Sequence, residues 1–160
     1  MLRIQDSCFK QLRWYFLAQS GAAMLIVILL MSLASIIDSE VVVASIGASV
    51  FIAMSMPQAK TSRARYFIGG YACGILAGAA GFALMTAVPF MPHALVAGLA
   101  VGLAVMLMVC LNCEHPPAAA LALGLVLTPH TLAAMAIALG FVTLLSLALH
   151  FLRPWMRNLL

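Results

Sequence analysis

The chain has 160 residues, 66% of them hydrophobic and 8% charged, with a formal net charge of +4 and a mean hydropathy of +1.16. A soluble domain is about 45–50% apolar and about 25% charged, so the composition excludes a water-soluble globule, a disordered tail and a disulfide-stapled secreted module. What it describes is an integral membrane protein with little mass outside the lipid, no room for a soluble catalytic domain, and no basic face or motif of the kind that binds nucleic acid.

Residues 2–13 mix Ile4, Phe9 and Leu12 with Arg3, Lys10 and Arg13. That is the composition of a short helix lying on the membrane surface, and equally of a frayed terminus. The first apolar run is longer than a signal-peptide core of about 7–15 residues, so no cleaved leader is expected. A membrane-crossing helix needs roughly 20 apolar residues, and residues 18–37 supply them, with Trp14 and Tyr15 as an interfacial belt. Asp38-Ser39-Glu40 interrupts the pattern. Residues 41–56 are apolar but short, with a small-residue patch at Gly47-Ala48-Ser49, and residues 57–65 are polar and basic. Residues 67–88 form a second full span, 89–92 a tight turn, and 95–111 a third span. Residues 112–117 break the pattern, 118–127 are again short and apolar, Thr128-Pro129-His130 break it once more, and 132–149 complete the set, anchored by Arg153 and Trp155.

The expected fold is therefore all-α, a polytopic transmembrane bundle of four full-length spans plus two short or broken helices. It forms one domain over residues 1–160: a cytoplasmic or interfacial segment at 1–17, membrane helices at 18–152 and a short tail at 153–160. The order long, short, long occurs twice, and Ile37-Asp38-Ser39-Glu40 parallels Leu111-Asn112-Cys113-Glu114. Three segments per half would make an inverted 3+3 repeat of the kind built into transporters; the plainer alternative is that any small polytopic chain shows such echoes. If all six segments cross, the eight cations fall on one side, which the positive-inside rule makes cytoplasmic together with both termini. If the short segments re-enter, the 57–65 cluster lies outside and breaks the rule. The six-crossing topology is expected, in the inner membrane of a bacterium.

Gly70, Gly74 and Gly78 fall on one helix face, as do Ala94, Gly98 and Gly102. Such stripes let helix backbones approach closely in lipid. They are read as packing residues, and exposed ones are compatible with a homo-oligomer.

The most specific motif is Glu114-His115-Pro116-Pro117-Ala118. Proline is tolerated only in the first turn of a helix, and the residue before it is pushed out of the helical region. The third span is therefore expected to end near Cys113, the chain to turn at Glu114-His115, and a new helix to start at Pro116 or Pro117. A helix N-terminus carries roughly half a positive charge and is a ready anion site.

The His-Pro-Pro motif resembles that of the HPP family of small integral membrane proteins. Ala44-Ser45-Ile46-Gly47-Ala48-Ser49 is similar to the family's Gly-Ala-Ser stretch, and Arg65-Tyr66-Phe67-Ile68-Gly69-Gly70 to its arginine followed by a Gly-Gly pair. Departures are Ala64 and Tyr66, where the family usually has proline and asparagine beside the arginine, Tyr71 in place of its histidine, and Ala119 where glycine is frequent. The resemblance implies a polytopic helical fold and, from plastid and cyanobacterial members, nitrite transport.

The functional expectation is a transporter or channel for a small inorganic anion, nitrite by resemblance, with proton coupling and no cofactor. Arg65 would gather the anion, backbone N–H groups of Pro116, Pro117 and Ala118 would bind it, Glu114 and His115 would couple a proton, and Ser45, Gly47 and Ser49 would line the path. Asp38 and Glu40 would mark a second mouth. Each has a plainer reading: Glu114 as a helix cap, His115 as a structural hydrogen bonder, Arg63 and Arg65 as topology and headgroup residues. A rival function is copper or zinc transport, from Cys110 and Cys113 three residues apart beside Glu114 and His115. Another is a non-transporting assembly role. No nucleophile, base and orienting group assemble into an enzyme site.

Overall fold

The computed structural model describes residues 7–32, 40–128 and 132–159, with the backbone alone at 7–12, 40 and 41. Among the described residues six α-helices follow one another: α1 Ser7–Ser32, α2 Glu40–Ser55, α3 Ala64–Ala87, α4 His93–Cys110, α5 Pro116–Leu127 and α6 Leu132–Leu152. Single 3-10 turns stand at Lys60–Ser62 and Arg153–Trp155, and no strand occurs among the described residues. Four helices are long and apolar enough to cross a membrane. The 16 residues of α2 and 12 of α5 rise about 24 and 18 Å, at about 1.5 Å per residue. Leu25, Leu29, Leu99, Leu144 and Phe151 stand on the outside of the bundle, where water would penalise such a continuous apolar surface and lipid does not. The protein is an integral membrane protein.

The first helix differs from expectation. It begins at Ser7 and runs unbroken into the first span, whose apolar stretch starts at Arg13, so the described part of the expected surface segment is continuous with that span and not a separate helix. No glycine or proline occurs between Ser7 and Gly21 to interrupt the backbone ladder. Residues 33–37 of the expected span, and Asp38, lie outside the described residues.

The two short helices occupy the middle. Helix α5 lies against α3 and α4, and α2 lies against α1, α5 and α6. The close approaches Gly70 to His115, Gly74 to Ala118, Gly78 to Leu125 and Gly81 to Val126 keep the same order along both chains, so α3 and α5 run parallel. Ser45 meets Pro117 and Ser49 meets His115, so α2 and α5 run antiparallel. Helix α1 packs on α2 as α4 packs on α5, and α3 packs on α5 as α6 packs on α2. An inverted pair of three-helix units requires that pattern. The packing of α3 on α4 departs from it, with no extensive α1–α6 contact among the described residues to match.

Loop hydrogen bonds fix the ends. Arg153 Nε donates to Pro57 O at 2.7 Å, the Leu159 N–H to Ser55 O at 2.8 Å, Arg65 Nη2 to Leu111 O at 2.7 Å and Lys60 Nζ to Asn112 Oδ1 at 3.0 Å. Gln19 Nε2 bonds to Met54 O and to Arg157 O. The loop after α2, the turn before α5, the C-terminal segment and the N-terminal half of α1 thus share one end, which carries Arg13, Lys60, Arg63, Arg65, Arg153 and Arg157. The opposite end holds the 88–92 turn and a small second core of Val96, Ala97, Ala100 and Val126. Helix α5 leaves the basic end alongside α3, and α6 returns to it.

Glycine placement separates the two stripes. A Cβ at Gly70 would stand 2.4 Å from His115 Cβ, at Gly74 2.3 Å from Ala118 O, and at Gly78 2.8 Å from Leu125 Cβ. Gly98 and Gly102 have nothing within 4 Å of such an atom. Among the described residues they pack no helices together: the turn of α4 that carries them is exposed and faces away from α3 and α5.

Candidate functional site

Helix α4 ends in a turn built by Asn112. Its φ is 51°, the only positive value at a non-glycine residue among the described residues, and asparagine is the residue besides glycine that tolerates the left-handed region. The Asn112 N–H bonds to Val109 O at 3.1 Å and the Cys113 N–H to Met108 O at 2.9 Å. This is the paired reverse bonding of a Schellman cap. The Asn112 side chain ties the turn to the neighbouring loop, accepting from Lys60 Nζ at 3.0 Å and Tyr66 OH at 3.1 Å. The chain then extends through His115 (φ −139°, ψ 95°), and Pro116 and Pro117 open α5. With His115 level with Gly70, six residues into α3, the motif is recessed by about 9 Å from the start of that helix.

His115 is wholly buried. Its ring lies 4.7 Å from that of Phe67 and 5.7 Å from that of Tyr71, centroid to centroid. Gly70 makes room for it. A chain of side chains leads away from the ring: His115 Nε2 to Ser49 Oγ at 2.9 Å, Ser49 Oγ to Tyr71 OH at 3.0 Å, Tyr71 OH to Ser45 Oγ at 2.9 Å, and Ser45 Oγ to Pro117 O at 2.8 Å. A carbonyl only accepts, so Ser45 must donate to Pro117 O. Each hydroxyl has one proton. Tyr71 therefore donates to Ser45; Ser49 Oγ donates its one proton to the Ser45 carbonyl at 3.1 Å, so its bond to the ring is made by Nε2–H. The Ser45 carbonyl, by taking the Ser49 proton, thereby leaves Nε2 as the protonated ring nitrogen. Nδ1 is left as a bare lone pair, buried and without a hydrogen-bond partner among the described residues.

The sequence-predicted residues sort accordingly. Ser45, Ser49, His115, Pro117 and Ala118 come together. Gly47 lies on another face of α2, half-buried with open space beside it. Arg65 is exposed at the basic end, held by the Leu111 carbonyl, and Pro116 is exposed beside the turn. Glu114 is half-buried and makes no ion pair or hydrogen bond among the described residues. Asp38 lies outside the described residues, and Glu40 is described only as the backbone that opens α2. The second-mouth expectation therefore falls outside the described side chains.

One expectation needs correction. Pro116 and Pro117 have no N–H, and the N–H of Ala118 bonds to His115 O at 2.9 Å. The first three positions of α5 therefore offer no free donor, and the backbone anion site anticipated there is not built. The dipole remains; the hydrogen bonds that would capture an ion do not. Tyr71 is the member of this buried cluster that the sequence reading did not place there. Its signal was available: a phenol and two serines inside apolar spans must find polar partners.

The cysteines also rearrange. Cys110 is exposed, whereas Cys113, turned inward by the Asn112 cap, stands with its Sγ 3.9 Å from Cys73 Sγ on α3. Among the described residues no three His, Cys, Asp or Glu side chains gather as a metal site. Treatment in the membrane with a permeant oxidant that takes up two electrons and two protons should link Cys73 to Cys113 and leave Cys110 free. Peptide mapping that found Cys110 linked to Cys113 would contradict this turn.

Taken together, the fold and the turn define a polytopic membrane protein organised around a buried His-Pro-Pro break. The chain belongs to the HPP family: the family model described as "HPP, transmembrane region" matches residues 7–158. No curated protein and no solved structure matches the chain.

Proposed function

We propose that the protein carries a small inorganic anion across the membrane together with a proton, with nitrite the anion that the family resemblance favours. The observation that carries this reading is the bare Nδ1 of His115. An anion is repelled by that lone pair. A proton on Nδ1 turns it into a charged donor, but an unpaired imidazolium in the bundle interior is expensive. Proton and anion together form a neutral, hydrogen-bonded pair. Each makes the binding of the other favourable, which is coupling in the thermodynamic sense. The serine–tyrosine chain holds the ring so that Nδ1, not Nε2, is the titrating nitrogen.

The surroundings support the same reading. Lys60, Arg63 and Arg65 give the near end a positive potential that concentrates anions. Glu114, one residue before His115 and free of partners among the described residues, is placed to hand over the proton. The antiparallel α2–α5 pair is the arrangement an inverted repeat would use to present the site alternately to either side. On this reading the basic end and both termini face the cytoplasm of a bacterium.

The test is nitrite uptake into proteoliposomes with and without an inward proton gradient. Protein-dependent uptake that rises with the gradient is expected. Its absence in vesicles holding folded protein would remove the reading. Glu114→Gln should abolish the dependence on the gradient while leaving the fold intact; an unchanged dependence would reduce Glu114 to a residue of the turn.

The Cys73–Cys113 pair favours one second reading, transport of a soft monovalent metal ion, since thiolates suit such ions. The double change Cys73→Ser with Cys113→Ser separates the two. An anion carrier keeps its nitrite uptake, and a metal carrier loses uptake of silver(I) or copper(I).

A further inference from the structure

Among the described residues the extensive packing of helix α1 is on α2, and it leaves a groove between itself and the C-terminal end of α6. The groove has a volume of about 410 Å³. It follows α1 from Trp14 to Ile26, a rise of about 18 Å, with Trp155 and Leu152 on the facing wall. The space is long, narrow and parallel to the helix axis. At ~30 Å³ for a group the size of a water molecule, it holds roughly a dozen methylenes. Its one buried polar lining side chain is already satisfied: Gln19 Nε2 donates to Met54 O and Arg157 O, and Gln19 Oε1 accepts from the Arg157 N–H at 3.0 Å. The floor therefore offers water nothing and suits a hydrocarbon.

The near mouth of the groove is charged. Arg13 precedes Trp14, its Cζ 5.6 Å from the indole centroid, and Arg157 is exposed just beyond Trp155. Neither has a carboxylate partner among the described residues. The aromatic rings sit where the interfacial belt of a membrane protein sits, and the arginines where a headgroup would lie.

We infer that this groove is a binding site for one anionic phospholipid, its acyl chain along α1 between Trp14 and Ile26 and its phosphate between Arg13 and Arg157. Chain-shaped apolar volume and a cationic mouth select this occupant. A second copy of the protein would have to bring a helix into a space one acyl chain wide, and a zwitterionic lipid would bring its own cation to the phosphate and add no net negative charge beside the two arginines. The inference stands apart from the proposed transport activity, because the groove does not touch His115.

The chain has two tryptophans, Trp14 and Trp155, and both line the groove, which makes them reporters. The purified protein is reconstituted in bilayers of phosphatidylcholine containing a small fraction of phospholipid brominated on the acyl chain. Brominated phosphatidylglycerol is expected to quench the fluorescence at a several-fold lower mole fraction than brominated phosphatidylcholine. Arg13→Gln with Arg157→Gln should bring the two lipids to the same mole fraction. Ala22→Phe, which fills the groove and leaves both arginines, should lose the high-affinity phase altogether. Native mass spectrometry should show one phosphatidylglycerol retained per chain, absent from the Ala22→Phe variant. Equal quenching by the two lipids in the unaltered protein overturns the inference. So does retention unaffected by Ala22→Phe, or lipid binding that emerges only after deletion of residues 1–6, which would give the groove to the chain's own N-terminus.

Discussion

Gly74→Ala should destabilise the bundle by an amount at the top of, or above, the ~1–3 kcal/mol that overpacking a core costs. The added Cβ would lie 2.3 Å from the carbonyl oxygen of Ala118. The obstacle is backbone inside α5, so it cannot move aside as a side-chain tip would. Relief requires α3 and α5 to separate, and every contact from Gly70–His115 to Gly81–Val126 lies along that seam. Lipid supplies no hydrophobic drive to hold helices together once close packing is lost. Gly98→Ala and Gly102→Ala are the internal controls: nothing stands within 4 Å of either new atom, and alanine is the better helix former by about 1 kcal/mol. The measurement is the denaturation midpoint of all three variants in the same detergent. A Gly74→Ala protein as stable as the parent would mean that α3 and α5 do not cross here. A loss of stability at Gly98 or Gly102 would mean that a second copy packs on α4.

These two stripes also mark how far the sequence carries. Spacing by four residues places glycines on one helix face, and it does so equally for α3 and α4. It says nothing about what that face meets. In a soluble helix the polar side would answer the question. In lipid both sides are apolar, so the buried face of α3 and the open face of α4 read alike. The helix break at Asn112–Pro117 was legible because proline acts locally, through a missing N–H and a constrained preceding residue; the left-handed cap at Asn112 was not read. The pairing of thiols was not. Cys110 and Cys113 are near in sequence, yet the cap turns the second inward and leaves the first outside, and only the packing of α3 against α5 supplies Cys73. The anion site at the start of α5 fails on a local count: a helix beginning Pro-Pro has already given up two of its donors. The polar chain from His115 to Pro117 joins three helices, and no spacing rule within one segment foretells it.

His115→Gln is expected to reduce proton-driven nitrite uptake roughly tenfold to more than a hundredfold, the equivalent of the ~1.5–3 kcal/mol of a hydrogen bond to a charged group. Glutamine retains an amide N–H able to donate to Ser49, so the chain through Tyr71 and Ser45 to Pro117 O can stay intact. What it lacks is a nitrogen that accepts a proton. The variant should therefore elute and melt like the parent protein while its residual uptake no longer responds to the proton gradient. Tyr71→Phe is the complement. It removes the phenol from Ser45 and from Ser49, while Ser49 keeps its bonds to the Ser45 carbonyl and to the ring. Uptake should then weaken several-fold yet keep its dependence on the gradient, because the titrating ring is still present. This pair of results separates a group that carries the proton from a group that positions it. Undiminished, gradient-dependent uptake in His115→Gln would assign the imidazole to packing against Phe67 and Gly70, and the coupling proton would have to be sought at Glu114.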